Sequence, residues 1–310
     1  MSALICGSMA FDTIMIFHDR FKNHILPDKV HILNVSFLVP ELRREFGGCA
    51  GNIAYNLELL GRKAFPMATV GMDFEPYREW MDKHGISTEF IQQSDENYTA
   101  QAYITTDKDD NQITAFHPGA MSLSHSQSVP TERGLKIGTV SPDGKEAMIQ
   151  HAEEFAEAGI PFIFDPGQGL PMFTGDELNR IIDLSNWVTV NDYEAQLMAK
   201  TTGLSIDQIA ERVEATIVTR GSHGSEINVN KERIYIPPAQ PDVVLDPTGC
   251  GDAYRAGLLY GLLEDLDWET TGRIASLMGA LKIESEGTQN HHFTMDEFRD
   301  RFNTSFQYQF

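Results

Sequence analysis

Basic residues are scarce in this chain. Against 45 Asp and Glu stand 24 Lys and Arg, a formal net charge of -21 over 310 residues. Such a field repels nucleic acid and anionic membranes, so neither is an expected partner, and a phosphate-bearing ligand would need local N–H groups or a metal to be held. Cysteine is scarce too. Cys6, Cys49 and Cys250 are odd in number and lack metal-ligand spacing, which argues against a disulfide framework and for a reducing, cytoplasmic compartment. No apolar run is long enough to span a membrane, and Met1–Gly7 lacks the basic region and apolar core of a signal peptide. The G-x-G-x-x-G pattern is missing after the first apolar run, Leu4-Ile5-Cys6, which weakens a dinucleotide-binding reading. Internal repeats and low-complexity segments are also absent.

What is present is a globular chain, 41% hydrophobic, organised around Asp246-Pro247-Thr248-Gly249-Cys250-Gly251-Asp252. The apolar run Val243-Val244-Leu245 before it reads as a buried strand. Ala253–Leu263 after it reads as a helix with Leu258, Leu259, Leu262 and Leu263 on its apolar side. Two glycines would then stand where a strand turns into a helix N-terminus. Free N–H groups and the positive end of the helix dipole make such a place an anion site. Asp252 falls in the first turn, beside the anion. A carboxylate there would orient and deprotonate a hydroxyl attacking phosphate, and should stay ionised at neutral pH. The plain alternative is an acidic residue in the first turn of a helix.

From residue 130 onward, helical patterns alternate with short apolar strands at 161–164, 187–190 and 216–219, which predicts a parallel sheet covered on both faces. Residues 227–229 and 233–236 resemble an edge hairpin. The first third differs. Strand-like pieces at 13–17 and 34–39, and an alternating pair at 100–105 and 112–116, predict a small sheet of segments 11–46 and 97–117 inserted into a body of 1–10, 47–96 and 118–310.

Ligands of such sheets bind beyond the carboxyl ends of the strands. Asp165, then Asn191 with Glu194, then Thr219–Gly224, then Asp246–Asp252 all follow predicted strands, so they converge on one rim. That convergence favours the catalytic reading of Asp252.

In order and spacing these stretches resemble the ribokinase-like (PfkB) family of sugar and nucleoside kinases. Gly47-Gly48-Cys49-Ala50-Gly51-Asn52 is similar to its N-terminal signature, Asn191-Asp192-Tyr193-Glu194 to its N-x-x-E motif, Thr219-Arg220-Gly221 with Gly224 to its nucleotide loop, and Asp246–Asp252 to its C-terminal signature. The resemblance implies a three-layer α/β/α sandwich with a mainly parallel sheet and a small β-sheet lid. It implies Asp252 as catalytic base and Gly249, Cys250 and Gly251 as the anion hole. Asn191 and Glu194 would hold Mg²⁺ through water, and Thr219, Gly221 and Gly224 would line the ATP phosphates. Asp12, Gly48 and Asn52 would meet the acceptor's sugar. It leaves open a monovalent cation such as K⁺, and a monomer or a homodimer formed through the lid.

For the acceptor, aromatic residues on the lid-side segments (Phe11, Phe17, Phe21, Phe37, Phe46, Tyr98, Tyr103 and Phe116) suit stacking on a purine, although half should only pack the small sheet. The N-terminal third resembles bacterial adenosine-kinase-like members more than ribokinase. The expectation is a purine nucleoside, adenosine favoured, phosphorylated at its 5′-hydroxyl. The alternatives are a sugar kinase and a non-catalytic sensor, the latter disfavoured by Asp252 and Glu194. Cys250 stands where the family usually has Ala. A thiol at a helix N-terminus can be activated, or it can simply be buried and inert. His117, His223 and the His291-His292 loop are not expected to be catalytic or metal-binding, Asp165 is expected to cap the turn after it, and Asp107–Asp110 to be a solvated hairpin tip.

Overall fold

Side-chain alternation along short strands builds this fold. The computed structural model describes residues 2–25, 34–109 and 111–310. Residues 26–33 of the predicted lid segment, with Pro27, and Asp110 of the hairpin loop lie outside the described residues. In chain order the elements are β1 (Ser2–Cys6), β2 (Ala10–Ile16), β3 (Glu41–Gly47), α1 (Cys49–Leu59), β4 (Lys63–Val70), α2 (Glu75–Lys83), β5 (Phe90–Gln93), β6 (Ala100–Thr106), β7 (Gln112–His117), β8 (Ile137–Val140), α3 (Lys145–Glu157), β9 (Phe162–Phe164), α4 (Gly175–Leu184), β10 (Trp187–Asn191), α5 (Asp192–Thr202), α6 (Ile206–Ala210), β11 (Ala215–Thr219), β12 (Ser225–Val229), β13 (Glu232–Ile236), α7 (Cys250–Leu263), α8 (Trp268–Ile283) and α9 (Met295–Phe306).

Nine strands form one sheet in the order β13-β12-β11-β10-β9-β8-β1-β4-β5. Its strands run parallel except at the β11–β12 and β12–β13 pairings, the predicted edge hairpin. Both faces are buried. Ala3 and Ile5 of β1 join a core with Ile53, Leu57, Leu258, Ile274 and Phe298 from α1, α7, α8 and α9. Their neighbours Leu4 and Cys6 join a second core with Met148, Phe155, Leu178, Met198 and Ile209 from α3 to α6. The period of two thus sends successive residues into opposite layers, giving the expected α/β/α sandwich. Each such Leu, Ile or Phe contributes roughly 1.5–3 kcal/mol by leaving water.

The second sheet has the order β3-β2-β6-β7. It is the small lid. The outer pairs are antiparallel and the central β2–β6 pair is parallel. Register places Glu45, Asp12, Ala102 and Phe116 in one row across it. Directly opposed residues share a face, so these four side chains emerge on the same side.

The structure corrects several sequence expectations. Val243, Val244 and Leu245 form no strand and are 47, 66 and 53% exposed. Three apolar residues are too few to claim a sheet position when β13 already ends the sheet. Instead, Leu245 and Asp246 donate their N–H groups to Ile283 O, at 2.9 and 3.2 Å, so the segment is tied to the end of α8. Residues 34–39 are also irregular, with the strand beginning only after Pro40. Strands β5 and β8 escaped the sequence reading; β8 contains Gly138 and is four residues long. Asp107 is buried, not solvated, and accepts hydrogen bonds from the N–H groups of Phe21, Asp109 and Asn111 at 2.8, 2.9 and 3.0 Å.

Candidate active site

The loop before α7 is shaped by Asp246. Its carboxylate accepts from Thr248 N at 2.9 Å and Gly287 N at 3.0 Å, closing the turn and joining it to the segment after α8. Gly249 takes φ 81°, a left-handed conformation that costs glycine nothing, and a Cβ there would lie 3.1 Å from Thr288 Cγ2. No side chain caps α7; Cys250 N donates to Pro247 O at 3.2 Å, which leaves the N–H groups of Gly251 and Asp252 in its first turn to an anion.

Asp252 stands in that first turn. Its pKa is raised to about 6, by burial first of all; the Asn52 hydrogen bond and Arg255 hold it down, and Asp165 and Asp12 add to the rise. The carboxylate is therefore mostly ionised at neutral pH, as expected, but as a poised base close to its titration point rather than a strongly stabilised anion.

Its partner is fixed through a chain of side chains. Asn52 Nδ2 donates to Asp252 Oδ2 at 2.8 Å, and Asn52 Oδ1 accepts from Gln289 Nε2 at 2.9 Å. Gln289 Nε2 also meets Tyr77 OH at 2.6 Å, and Gln289 Oε1 accepts from Trp80 Nε1 at 2.9 Å. Tyr77 OH in turn donates to Gly47 O at 2.9 Å. Gly48, at φ 85°, precedes α1, where any Cβ would meet Ser8 O at 2.5 Å. Asn52 stands in the first turn that follows.

Asp12 projects from β2 against the end of β3: a Cβ on Gly47 would lie 2.4 Å from Asp12 Oδ2. Burial raises its pKa to about 6, with Glu45 and Asp246 adding to the shift. Asp12, Gly48, Asn52 and Asp252 are thus brought together. Phe116 shares the Asp12 row and is exposed. The other lid aromatics do different work. Phe11 and Phe46 pack on Tyr77, Phe17, Phe21 and Phe37 pack on one another, and Tyr103 hydrogen-bonds Gln101 on the opposite face. Stacking support for a purine narrows to Phe116 and Tyr98, both exposed.

Asn191 and Thr219, expected on the nucleotide side, are register partners at the ends of β10 and β11. Asn191 and Glu194 bond each other: Glu194 N donates to Asn191 Oδ1 and Asn191 N to Glu194 Oε2, both at 2.8 Å. The N-x-x-E stretch is therefore also a helix capping box. The pKa of Glu194 is raised, first by burial and then by Asp165. Gly221 and Gly224 take φ 53° and 79° around a short turn closed by Arg220 N donating to Gly224 O at 2.8 Å.

Asp165 does not cap the turn after it as expected; its carboxylate is engaged by Arg255. It receives a buried two-pronged contact from Arg255, Nη2 to Oδ1 at 2.7 Å and Nε to Oδ2, while Arg255 Nη1 donates to Gly251 O at 3.0 Å. The pair fastens the start of α7 to the end of β9. Arg255 was missed in the sequence, though an arginine among Leu258, Leu259 and Ala256 signals a buried partner. Gln289 offered no comparable signal.

Cys250 is not activated. Burial pushes its thiol up to about 11, with Asp246 and Asp252 adding and Lys282 opposing. The inert alternative describes it. His291 is buried rather than solvated, with Nε2 2.7 Å from Asn56 Oδ1 and its pKa pushed down to about 3 by burial. Among the described residues no group of three or more His, Cys, Asp and Glu gathers to hold a metal, and no helix is long and apolar enough to cross a membrane.

The profile of the pfkB family of carbohydrate kinases matches residues 8–294. The chain belongs to that family. It is accordingly a phosphotransferase acting on an alcohol hydroxyl, with ATP as co-substrate. A nucleoside kinase of Methanocaldococcus jannaschii is 33% identical over 270 residues, 86% of this chain and 89% of that protein. The structure of a Burkholderia thailandensis nucleoside kinase in complex with inosine is 53% identical, with a TM-score of 0.91 over 99% of each chain. The same kinase in complex with ADP-inosine gives 55% identity and a TM-score of 0.88 over 99% of this chain and 97% of that one.

Proposed function

We propose that this pfkB-family member is a nucleoside kinase that transfers the γ-phosphoryl group of ATP to the 5′-hydroxyl of a purine nucleoside. The observation that carries the reading is the Asn52–Asp252 contact, made at the N-terminus of α7, which no side chain caps, by a carboxylate that lies in the field of Asp12. Relatives named nucleoside kinases, one of them in complex with inosine, support the acceptor class. Adenosine and inosine share the ribose and differ at the purine 6-position, and adenosine is the acceptor we favour.

Asp12 accepts hydrogen bonds from ribose hydroxyls, Gly48 lets the backbone approach the same sugar, and Phe116 stacks on the base. Asp252 accepts the 5′-hydroxyl proton as the bond from that oxygen to the γ-phosphorus forms. The bond to the bridging oxygen breaks, and its electron pair leaves with ADP. N–H groups of the Gly249–Gly251 turn and the α7 dipole stabilise the charge on the phosphoryl oxygens. Thr219, Gly221 and Gly224 line the donor's phosphates. Asn191 and Glu194 already bond each other, so they fit an ion that arrives on the nucleotide and touches Glu194 through water, not an all-protein site. Mg²⁺ held there would supply neutralisation of the phosphate charge.

ATP turnover against a panel of nucleosides and free sugars, with and without Mg²⁺, tests the reading. Purine nucleosides should be the best acceptors. Ribose or fructose outperforming every nucleoside would replace it with a sugar kinase, and no turnover of any acceptor with a sensor.

A further inference from the structure

Lys282 is fully buried at the end of α8, where a lysine ordinarily reaches water. Its ammonium donates to Asp246 O at 2.7 Å and to Ser285 O at 3.1 Å. A lysine serving only its own helix terminus would bond carbonyls of that helix. This one reaches across to the first residue of the anion loop and to the segment leading to Gly287, Thr288 and Gln289. Those residues support the site directly. Gly287 N holds the Asp246 carboxylate, Thr288 packs on Gly249 and donates to Phe46 O, and Gln289 orients Asn52.

We infer that Lys282 is a positioning residue whose ammonium acts as a fixed monovalent cation, cross-linking the Asp246–Gly251 anion loop to the 283–289 segment. The inference rests on the phosphoryl-transfer reading of that loop. Carbonyl oxygens are among the ligands that hard metal cations take, and here two of them accept from one buried ammonium. Here the chain supplies the charge covalently. The ammonium also lies within electrostatic reach of Cys250, the first residue of α7, so it adds positive potential where phosphoryl charge develops.

Two consequences separate this role from ordinary packing. The wild-type enzyme should turn over its nucleoside equally well, within about twofold, in K⁺ and in tetramethylammonium buffers of equal ionic strength. Lys282→Met keeps the stem and removes the charge. It should lower kcat at least about tenfold with a smaller change in KM for the nucleoside. K⁺ or NH₄⁺, which fit between the two carbonyls, should restore part of that loss, and tetramethylammonium should not. The variant's thermal midpoint should rise with K⁺ or NH₄⁺ while the wild type's does not.

A wild type that requires K⁺ overturns the inference, as does a folded Lys282→Met that is fully active without small cations or is neither reactivated nor stabilised by them. If Lys282→Met does not fold, the K⁺ dependence of the wild type alone decides. If no nucleoside is turned over, the kinase reading fails, and the cation-specific rise in the variant's midpoint still decides the role of Lys282.

Discussion

Asn52 and Asp252 stand 200 positions apart in the chain and meet through a hydrogen bond of 2.8 Å. One belongs to the helix that follows the Gly47-Gly48 turn, the other to the helix that follows the anion loop. The contact joins the acceptor half of the site to the phosphoryl half. In the proposed reaction it holds the base where a hydroxyl bound near Asp12 would reach it.

Asp252→Asn is expected to lose about 10²- to 10⁴-fold in kcat, the usual worth of a positioned general base. ATP binding should survive. Stability should move the other way. The folded pKa of Asp252 lies above its unfolded value, so the buried charge costs stability at neutral pH, and that cost fades as pH falls through about 6 and the carboxyl takes up a proton. The neutral amide removes the cost. The variant should therefore be more stable than wild type at pH 7, on the order of 2 kcal/mol, with the gap closing toward pH 4. Denaturant melts at several pH values, beside turnover assays, check both halves; near wild-type turnover would falsify the base assignment.

The acid limb of kcat/KM should follow the Asp12 and Asp252 pair, with an apparent pKa near 6 in the free enzyme. Activity falls as pH drops because a protonated Asp252 cannot accept the hydroxyl proton. Asp252 lies in the field of Asp12. In Asp12→Asn one negative charge is gone, so the pKa of Asp252 should drop and the limb move to lower pH, even as KM for the nucleoside rises. A limb that stays in place, measured by pH–rate profiles of the two enzymes, would show that the groups do not communicate.

The motifs were legible because each is local: a polar cluster after an apolar run, or glycines where the backbone must turn. Asn191–Glu194, Thr219–Gly224 and Asp246–Asp252 each announce themselves within seven residues. The supports were not legible, because they are long-range pairings. Arg255 meets Asp165 across 90 positions, Gln289 meets Asn52 across 237, and Lys282 reaches back 36. The Val243–Leu245 error has the same root. Apolar content cannot distinguish a short strand from an exposed segment whose backbone bonds to a distant helix end.

Cys250 should be indifferent to thiol reagents at neutral pH. Its thiol is pushed up to about 11, so the thiolate that alkylation needs is a minute fraction at pH 7. Cys250→Ala should retain turnover within about twofold, since both side chains are small and the N–H groups of the loop do the binding. Rapid inactivation of the wild type by iodoacetamide, lost in Cys250→Ala, would contradict this.

The Arg255–Asp165 pair is the fastening most expensive to break. Arg255→Met should destabilise the protein by about 3–5 kcal/mol, because it leaves the Asp165 carboxylate buried without its partner. The same change frees Gly251 O, so turnover should fall in whatever fraction remains folded. Replacing both members tells the two effects apart. Arg255→Met with Asp165→Leu removes the stranded charge, so stability should return to within about 2 kcal/mol of wild type. Turnover should stay low, since nothing then holds the start of α7 through Gly251 O. Equal recovery of stability and turnover in the double variant would mean that the pair serves the fold alone.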